Sequence, residues 1–533
     1  MDELLKNPLW QAQDLGKPLP NSRHAVSVCL PTWADVVGYE EKDERVLSKL
    51  QLGYPRFVIH PLVRELNQLL RSKLGLEKYK QDCLIMPSEA SAQRAKEFLK
   101  KRFGIQSQNE IIKSNIFDLN VFIFPDTAFN EAKQYWQHSG EIISSRQAEF
   151  ILKVLRNPNS DQIKDCKQEL RDIEYKGKLV KQNIKERISI SAQVNSKDIY
   201  LFQSGMAAIY LAYLIANNLE RQNNNSSDSL NTPSRTVQFG FPYTDTLKIQ
   251  EKFNFQFNPN TKGVCFFPKG DLHDLERLEE LLQTEQISAL FCEFPSNPLL
   301  QSVDLKELKK LSKKHSFPII VDDTIGSFQN IDLREYADII VTSLTKFFSG
   351  ESDCTAGSLI LCERSPFYET LSRALEDLYQ DNLWTEDAII LENNSRSFAE
   401  RMNKINKSAE TLCDFLERHP KVHKVYYPKF IDTYNYKELQ SSHLGAGFGG
   451  LFSLELVNPE TNAPIFYDNL RICKGPSLGT NFTIACPYTL LAHYDELDFV
   501  EECGVSRYLI RFSVGLEEAK ELIVRFSEAF SKL

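Results

Sequence analysis

The stretch from 287 to 362 constrains the fold most, because apolar runs of strand length alternate there with a helical pattern. Ile287 to Phe294 reads as a strand, Pro318-Ile-Ile-Val321 as the next, and Asp338-Ile-Ile-Val341 and Gly357 to Cys362 as two more. Between the first two, Asp304-Leu-Lys-Glu307 has the spacing of a capping box, with Asp304 as cap, Glu307 reaching back, and Leu305 and Leu308 turned inward. Strands joined by a helical crossover imply a parallel sheet with covered faces, whose ligands sit beyond the carboxyl ends of the strands. The polar residues just after each strand are therefore the ones to inspect for chemistry.

The chain has 533 residues, and at about 150 residues per domain that allows roughly three to four domains. The 63 Lys and Arg against 72 Asp and Glu leave a net charge of −9, with no basic surplus for nucleic acid or an anionic membrane. Apolar runs fall short of the roughly 18 residues a membrane span needs. The start, Met1-Asp-Glu-Leu-Leu-Lys6, lacks the basic lead and apolar run of a signal peptide. The 11 cysteines are dispersed from Cys29 to Cys503 without a C-x-x-C pair or zinc spacing, the pattern of buried thiols in a reducing compartment. A soluble cytoplasmic enzyme is expected, with nuclear access open and no metal.

Four regions follow. Residues 1–139 form a Lys/Glu-rich extension, expected to be helix-rich (Leu62 to Leu76, for example) and without a chemical signature. Residues 140–195 lead into a unit at 196–385, where Ile199-Tyr-Leu-Phe202 precedes a helix opening at Ser204-Gly205-Met206. Its residues Met206, Ile209, Tyr210, Tyr213 and Leu214 share one face. The polar tract from Arg221 to Ser234 reads as a surface loop. In 386–533 a helical segment from Glu386 to Arg418 leads into a smaller α+β region, with strands at Gly450 to Leu456 and Tyr508 to Ser513.

Two strand ends carry the chemistry. The strand at 318–321 ends in Asp322-Asp323, and that at 338–341 in Thr342-Ser343-Leu-Thr345-Lys346. A carboxylate and an amine on neighbouring strand ends suit pyridoxal phosphate: the lysine forms an imine and the carboxylate keeps the pyridine nitrogen protonated. Ser204-Gly205-Met206 offers backbone N–H groups at a helix start for the phosphate, with Ser343 and Thr345 beside them. Tyr243 is placed to stack on the ring. Each signal alone has an ordinary explanation as a loop, a cap or a helix start; their joint order does not.

That order resembles the Cys/Met-metabolism pyridoxal-phosphate family. Ile320-Val-Asp-Asp-Thr, Ala337-Asp338-Ile-Ile-Val-Thr-Ser-Leu-Thr-Lys346, Gly350-Glu-Ser-Asp353, Glu293-Phe-Pro-Ser-Asn297, Ser477-Leu-Gly479 and Leu509-Ile-Arg511 match its motifs in sequence, covering roughly 140 to 533. The leading extension, Pro242-Tyr-Thr-Asp-Thr246 and Ser477-Leu-Gly-Thr-Asn-Phe-Thr483 are most similar to the fungal cystathionine gamma-synthase branch. The resemblance implies an α/β fold: a fold-type I transferase with a mainly parallel seven-stranded sheet between helices, a smaller C-terminal α+β domain and an N-terminal extension.

It also implies roles. Lys346 is the imine lysine, Asp322 the pyridine-nitrogen partner and Asn297 the contact to the ring hydroxyl. Ser204, Gly205, Met206, Ser343 and Thr345 hold the phosphate, and Tyr243 stacks on the ring. Arg511, with Ser477 nearby, clamps the substrate α-carboxylate. The family lends a Tyr-x-Arg from a neighbouring subunit; the nearest match here is Ser144-Ser-Arg146, so residues 140–195 become an arm and the protein a homodimer or homotetramer. Phe482 stands where many members carry a glutamate, and Asp323 follows the catalytic aspartate in place of asparagine. The implied reaction is γ-replacement, an O-acylated homoserine plus cysteine giving cystathionine. Sulfhydrylation of O-acetylhomoserine or O-acetylserine and cystathionine elimination remain open on the same scaffold.

Readings of other classes also exist. Gly445-Ala-Gly-Phe-Gly-Gly450 fits a dinucleotide fingerprint in letters, but a strand is expected after it where a helix is required. Gly475-Pro-Ser477-Leu-Gly479, with His493 behind, fits a serine-hydrolase elbow but again precedes a strand-like run. A non-catalytic role would rest on the extension and the altered positions.

Overall fold

The computed structural model describes residues 2–113, 118–156, 160–223, 235–254 and 263–533. Its centre is a seven-stranded sheet of β1 (Ile199–Phe202), β2 (Arg235–Phe239), β3 (Val264–Phe267), β4 (Ile287–Glu293), β5 (Ile319–Asp322), β6 (Ile339–Thr342) and β7 (Gly357–Leu361). The spatial order is β1-β7-β6-β5-β4-β2-β3. Only β7 runs antiparallel to its neighbours. β4 is buried at every position, which is why it reads as one apolar run and not as an alternation.

The crossover helix Leu305–His315 is capped by Asp304, which accepts the Glu307 amide at 3.0 Å. The return half of the expected capping box is absent; the Glu307 carboxylate instead pairs with Lys310 one turn on. The helical segment expected from Glu386 to Arg418 is two helices, Thr385–Ser395 and Phe398–Leu416. Buried Arg401 braces the break, donating to the carbonyls of Phe347, Phe348 and Asn394. That ties the break to the turn that carries Lys346. Of the polar tract at 221–234, residues 224–234 lie outside the described ones; Arg221 to Asn223 end the helix Gly205–Asn223.

The C-terminal region builds a five-stranded sheet in the order Val422–Tyr426, Leu451–Leu456, Ile510–Ser513, Ile484–Pro487, Cys473–Lys474. Strands follow both glycine-rich segments, so neither has the helix that a dinucleotide loop or a nucleophile elbow requires.

The amino-terminal region departs most from expectation. It is helix-rich but also carries a sheet, in which Gln81–Met86, Asp118–Pro125 and Gln108–Lys113 pair antiparallel in that order. The helices Pro61–Lys73, Glu89–Phe103 and Phe129–Ser139 pack with it. Its apolar face continues into the large sheet's helices, with Phe98 4.6 Å from Phe253 and Tyr135 6.1 Å from Tyr210, ring centre to ring centre. Ahead of it, Pro18–Leu19 pairs with Ser27–Val28, and the Leu30 amide donates to Lys474 O at 3.0 Å. The chain therefore begins against its own C-terminal sheet. No helix among the described residues is long and apolar enough to cross a membrane, and none of their His, Cys, Asp and Glu side chains group to hold a metal ion.

Candidate active site

A cavity of about 980 Å³ opens beyond the carboxyl ends of β4, β5 and β6, lined by the large domain, the C-terminal domain and the amino-terminal region together. Lys346 stands in its wall, on the turn after β6. Its Nζ donates to Ser477 Oγ at 3.3 Å and lies 4.5 Å from the Tyr54 ring centroid. Burial pulls this ammonium below the usual lysine value; Tyr54 opposes that pull, and Arg511 and Arg56 reinforce it.

Asp322 ends β5 directly beside Glu293 at the end of β4. Burial raises the Asp322 carboxyl to about 6 while the Thr324 hydroxyl and amide hold it down. Glu293 is raised to about 8, by burial first and by Asp322 second. Glu293 also accepts the backbone N–H of Tyr243 at 2.6 Å and of Asn297 at 2.8 Å, so one carboxyl orients two residues assigned to the ring. Asp323 turns away from the cavity and accepts the Phe328 amide at 2.7 Å, stabilising the loop that follows β5.

The helix starting at Gly205 points its first turn at the cavity. A Cβ on Gly205 would lie 2.7 Å from the Ser343 Cβ, so only glycine lets the helix start and the turn after β6 approach this closely. Met206 and Ser343 line the space. The Ser204 hydroxyl is already committed: it donates to Gly140 O at 2.9 Å and accepts from the Ala207 amide at 3.1 Å, capping the helix. The Thr345 hydroxyl is similarly held by Ala356, through its carbonyl and its amide. Both residues line the site by their backbone placement, with hydroxyls that serve the fold.

Arg511, on the strand Ile510–Ser513, donates to Asn297 Oδ1 at 3.1 Å and to the carbonyls of Pro476 and Ser477. Its guanidinium lies 4.9 Å from the Tyr488 ring centroid. Ser477 meets Lys346 and not His493, whose ring engages Thr244 and Glu496. Ser477 and His493 therefore do not form the serine–histidine pair of a hydrolase. Phe482 is fully buried with Leu4, Leu19 and Cys473 and does not face the cavity.

Arg146 does not line the cavity of its own chain. It is held by Asp387 Oδ1 at 3.0 Å and the Asp353 carbonyl at 2.7 Å. The tyrosine–arginine pair in the cavity is instead Tyr54-Pro55-Arg56. Arg56 is buried; it donates to Asp245 Oδ2 at 2.6 Å and to the Tyr243 hydroxyl. Asp245 is fully enclosed, also meets His138 Nδ1 at 2.8 Å, and is held far below the usual carboxylate range: Arg56 and His138 outweigh burial. Burial raises the Tyr54 phenol, but Lys346 and Arg56 together bring it below the ordinary tyrosine value. The signal for this pair was a literal Tyr-x-Arg, far ahead of the catalytic unit.

Comparison with known proteins fits this geometry. Residues 168–531 match the family described as Cys/Met metabolism PLP-dependent enzyme. The chain belongs to that family. Residues 62–144 match the fungal trans-sulfuration enzyme N-terminal domain, which lies between Tyr54-Pro55-Arg56 and the large domain. The chain is 36% identical to a cystathionine gamma-synthase of Saccharomyces cerevisiae, covering 96% of this chain and 98% of that protein. It is 35% identical to a cystathionine gamma-synthase of Neurospora crassa, over 97% and 98%. A solved cystathionine gamma-lyase from Lactobacillus plantarum in complex with L-serine superposes with a TM-score of 0.52 at 23% identity, over 63% of this chain and 82% of that one, and shares the fold-type I architecture.

As a member of this PLP-dependent family the chain takes pyridoxal phosphate, and the donor set fits it. Lys346 offers an amine of lowered basicity, Asp322 a buried carboxyl, and the Gly205 helix start with Arg56 a positive pole for a phosphate.

Proposed function

We propose that the protein catalyses γ-replacement on an O-acylated homoserine, with cysteine as the entering thiol and cystathionine and a carboxylic acid as products. The observation that carries this reading is Lys346 standing between Tyr54 and Ser477 in the cavity that also holds Arg511. Likeness over nearly the whole chain to proteins named cystathionine gamma-synthase supports it.

Bound through Lys346, pyridoxal phosphate supplies an electron sink for negative charge developing on the substrate carbons. Arg511, fixed by Asn297 and two carbonyls, receives the α-carboxylate and orients the amino acid. Lys346, kept weakly basic by burial, removes the proton at Cα and then one at Cβ. The γ C–O bond breaks and the acyl group leaves as a carboxylate. The thiol gives up its proton, which balances the departed carboxylate, its sulfur forms a bond to Cγ, and the protons taken from Cα and Cβ return to those positions. Tyr54, beside Lys346 and acidified by two cations, is placed to share these transfers. Asp322 would meet the ring nitrogen and Arg56 would hold the phosphate end, while Glu293 sets Tyr243 and Asn297.

The test is a product assay with O-acetylhomoserine, offering cysteine, sulfide or no thiol, alongside cystathionine as sole substrate. Cystathionine formed with cysteine at the highest kcat/KM is expected. Faster reaction with sulfide, or consumption of cystathionine alone, would reassign the protein as a sulfhydrylase or a lyase. The same reading takes the protein as a homodimer or homotetramer, measurable by sedimentation.

A further inference from the structure

The mouth of the catalytic cavity carries charges that the scheme above leaves unused. Lys42, Arg64 and Lys133 line it together, from the segment after the helix Trp33–Glu40 and from the helices Pro61–Lys73 and Phe129–Ser139. None of the three has a carboxylate partner within ion-pair distance among the described residues. Two other cations in the same cavity are compensated: Arg56 by Asp245, and Lys248 by Glu496 at 3.1 Å. Lys133 is half-buried, and after burial itself the largest influences lowering its basicity are Lys42 and Arg64. Three like charges crowd one wall, and their repulsion is relieved by an anion arriving there.

Two carboxyls, Glu40 and Asp495, line the same mouth as these cations. Glu40 is raised to about 8 by burial and by Asp495, with Lys42 pulling against both. A cationic wall in the same mouth as the carboxyls of Glu40 and Asp495 is complementary to a zwitterion whose carboxylate and ammonium share one carbon. The amino acid undergoing bond cleavage already has its carboxylate partner in Arg511, near Lys346.

We propose that Lys42, Arg64 and Lys133 form a second carboxylate-binding station, which receives the entering amino-acid thiol at the cavity mouth. The proposal rests on the γ-replacement reading. It makes the amino-terminal region part of substrate capture, since two of the three cations belong to helices of its sheet-containing part and the third to the segment before it. An elimination from the acylated homoserine alone, whose co-substrate is water, needs no such station.

The experiment uses the full-length, cofactor-loaded enzyme and its Lys133→Gln and Lys42→Gln variants, with cysteine and cysteamine as thiols. Cysteamine keeps the thiol and the amine and lacks the carboxylate. Losing one charge-assisted contact is expected to lower the ratio of kcat/KM for cysteine to that for cysteamine by about tenfold. Lys133→Arg restores the ratio. An unchanged ratio overturns the station. So does a loss that appears only when O-succinylhomoserine replaces O-acetylhomoserine, because the carboxylate recognised would then be that of the acyl group. Wild-type enzyme that makes no cystathionine from cysteine would sink the γ-replacement reading itself, whereas active wild type with indifferent variants removes the station alone.

Discussion

The Lys346 ammonium nitrogen lies 4.5 Å from the centroid of the Tyr54 ring, although the two residues belong to opposite halves of the chain. The contact joins the amine after β6 to a segment ahead of the amino-terminal domain, and Arg56 follows Tyr54 into the same cavity. Lys346 and the tyrosine–arginine pair thus meet within one polypeptide.

This geometry predicts the behaviour of mixed oligomers. Lys346→Ala and Arg56→Ala chains, co-refolded and assayed, should stay inactive, because each site draws its arginine from the chain that supplies its lysine. Recovered activity in the hybrids would show that the partner subunit provides Arg56, as the family resemblance implies for its Tyr-x-Arg.

Replacing Lys346 with alanine should lower kcat by roughly a thousandfold or more, since it removes the group assigned to the proton transfers. The protein should also lose the yellow absorbance that borohydride bleaches. Near-normal turnover in this variant is incompatible with the scheme.

Tyr54→Phe keeps the ring beside Lys346 and removes only the phenol. About a hundredfold loss of kcat is expected, with little change in KM for the acylated homoserine. A rise in KM alone would make Tyr54 a wall of the cavity and not a participant.

Glu293 links pH to stability of the cofactor-free protein. Its folded value is raised from 4.5 to about 8. A carboxyl that binds its proton more tightly when folded contributes stability that is lost as pH rises through that window. Urea midpoints of the apoprotein should therefore fall between pH 5 and 8, and Glu293→Gln should flatten the decline. An equal slope in both proteins would remove Glu293 as its source.

Asp245 compensates buried Arg56 at 2.6 Å. Asp245→Asn leaves that charge unpaired and should cost about 3 kcal/mol of stability. A phosphate replaces the missing anion, so added pyridoxal phosphate should raise Tm more in the variant than in wild type. Equal increments would mean that Arg56 does not meet the phosphate.

The large sheet was legible because β4, β5 and β6 are short, buried and apolar, and because their last residues, Glu293, Asp322 and the turn to Lys346, break that pattern abruptly. The amino-terminal sheet was hidden: Gln108–Lys113 is polar, and Gln81–Met86 and Asp118–Pro125 sit among strong helix-forming stretches. Tyr54-Pro55-Arg56 escapes notice in the sequence because nothing local marks its partner. Its neighbours in space come from β6 and the Thr244–Lys252 helix, and a domain at 62–144 separates it from both. Ser204 and Thr345 illustrate the converse. Their hydroxyls look available from their positions, yet both are used by Gly140 and Ala356 to hold the backbone in place.

Lys474 Nζ donates to the carbonyl of Pro31 at 2.8 Å across 443 positions of sequence. On a ribosome, the opening segment therefore leaves the tunnel long before its docking strand exists. At about 5–20 residues per second the wait is roughly 20 to 90 seconds. Leu19, Val28 and Leu30, all buried in the finished fold, gain their C-terminal neighbours only near the close of that interval. Docking of this segment on the C-terminal sheet is therefore among the last contacts that synthesis permits.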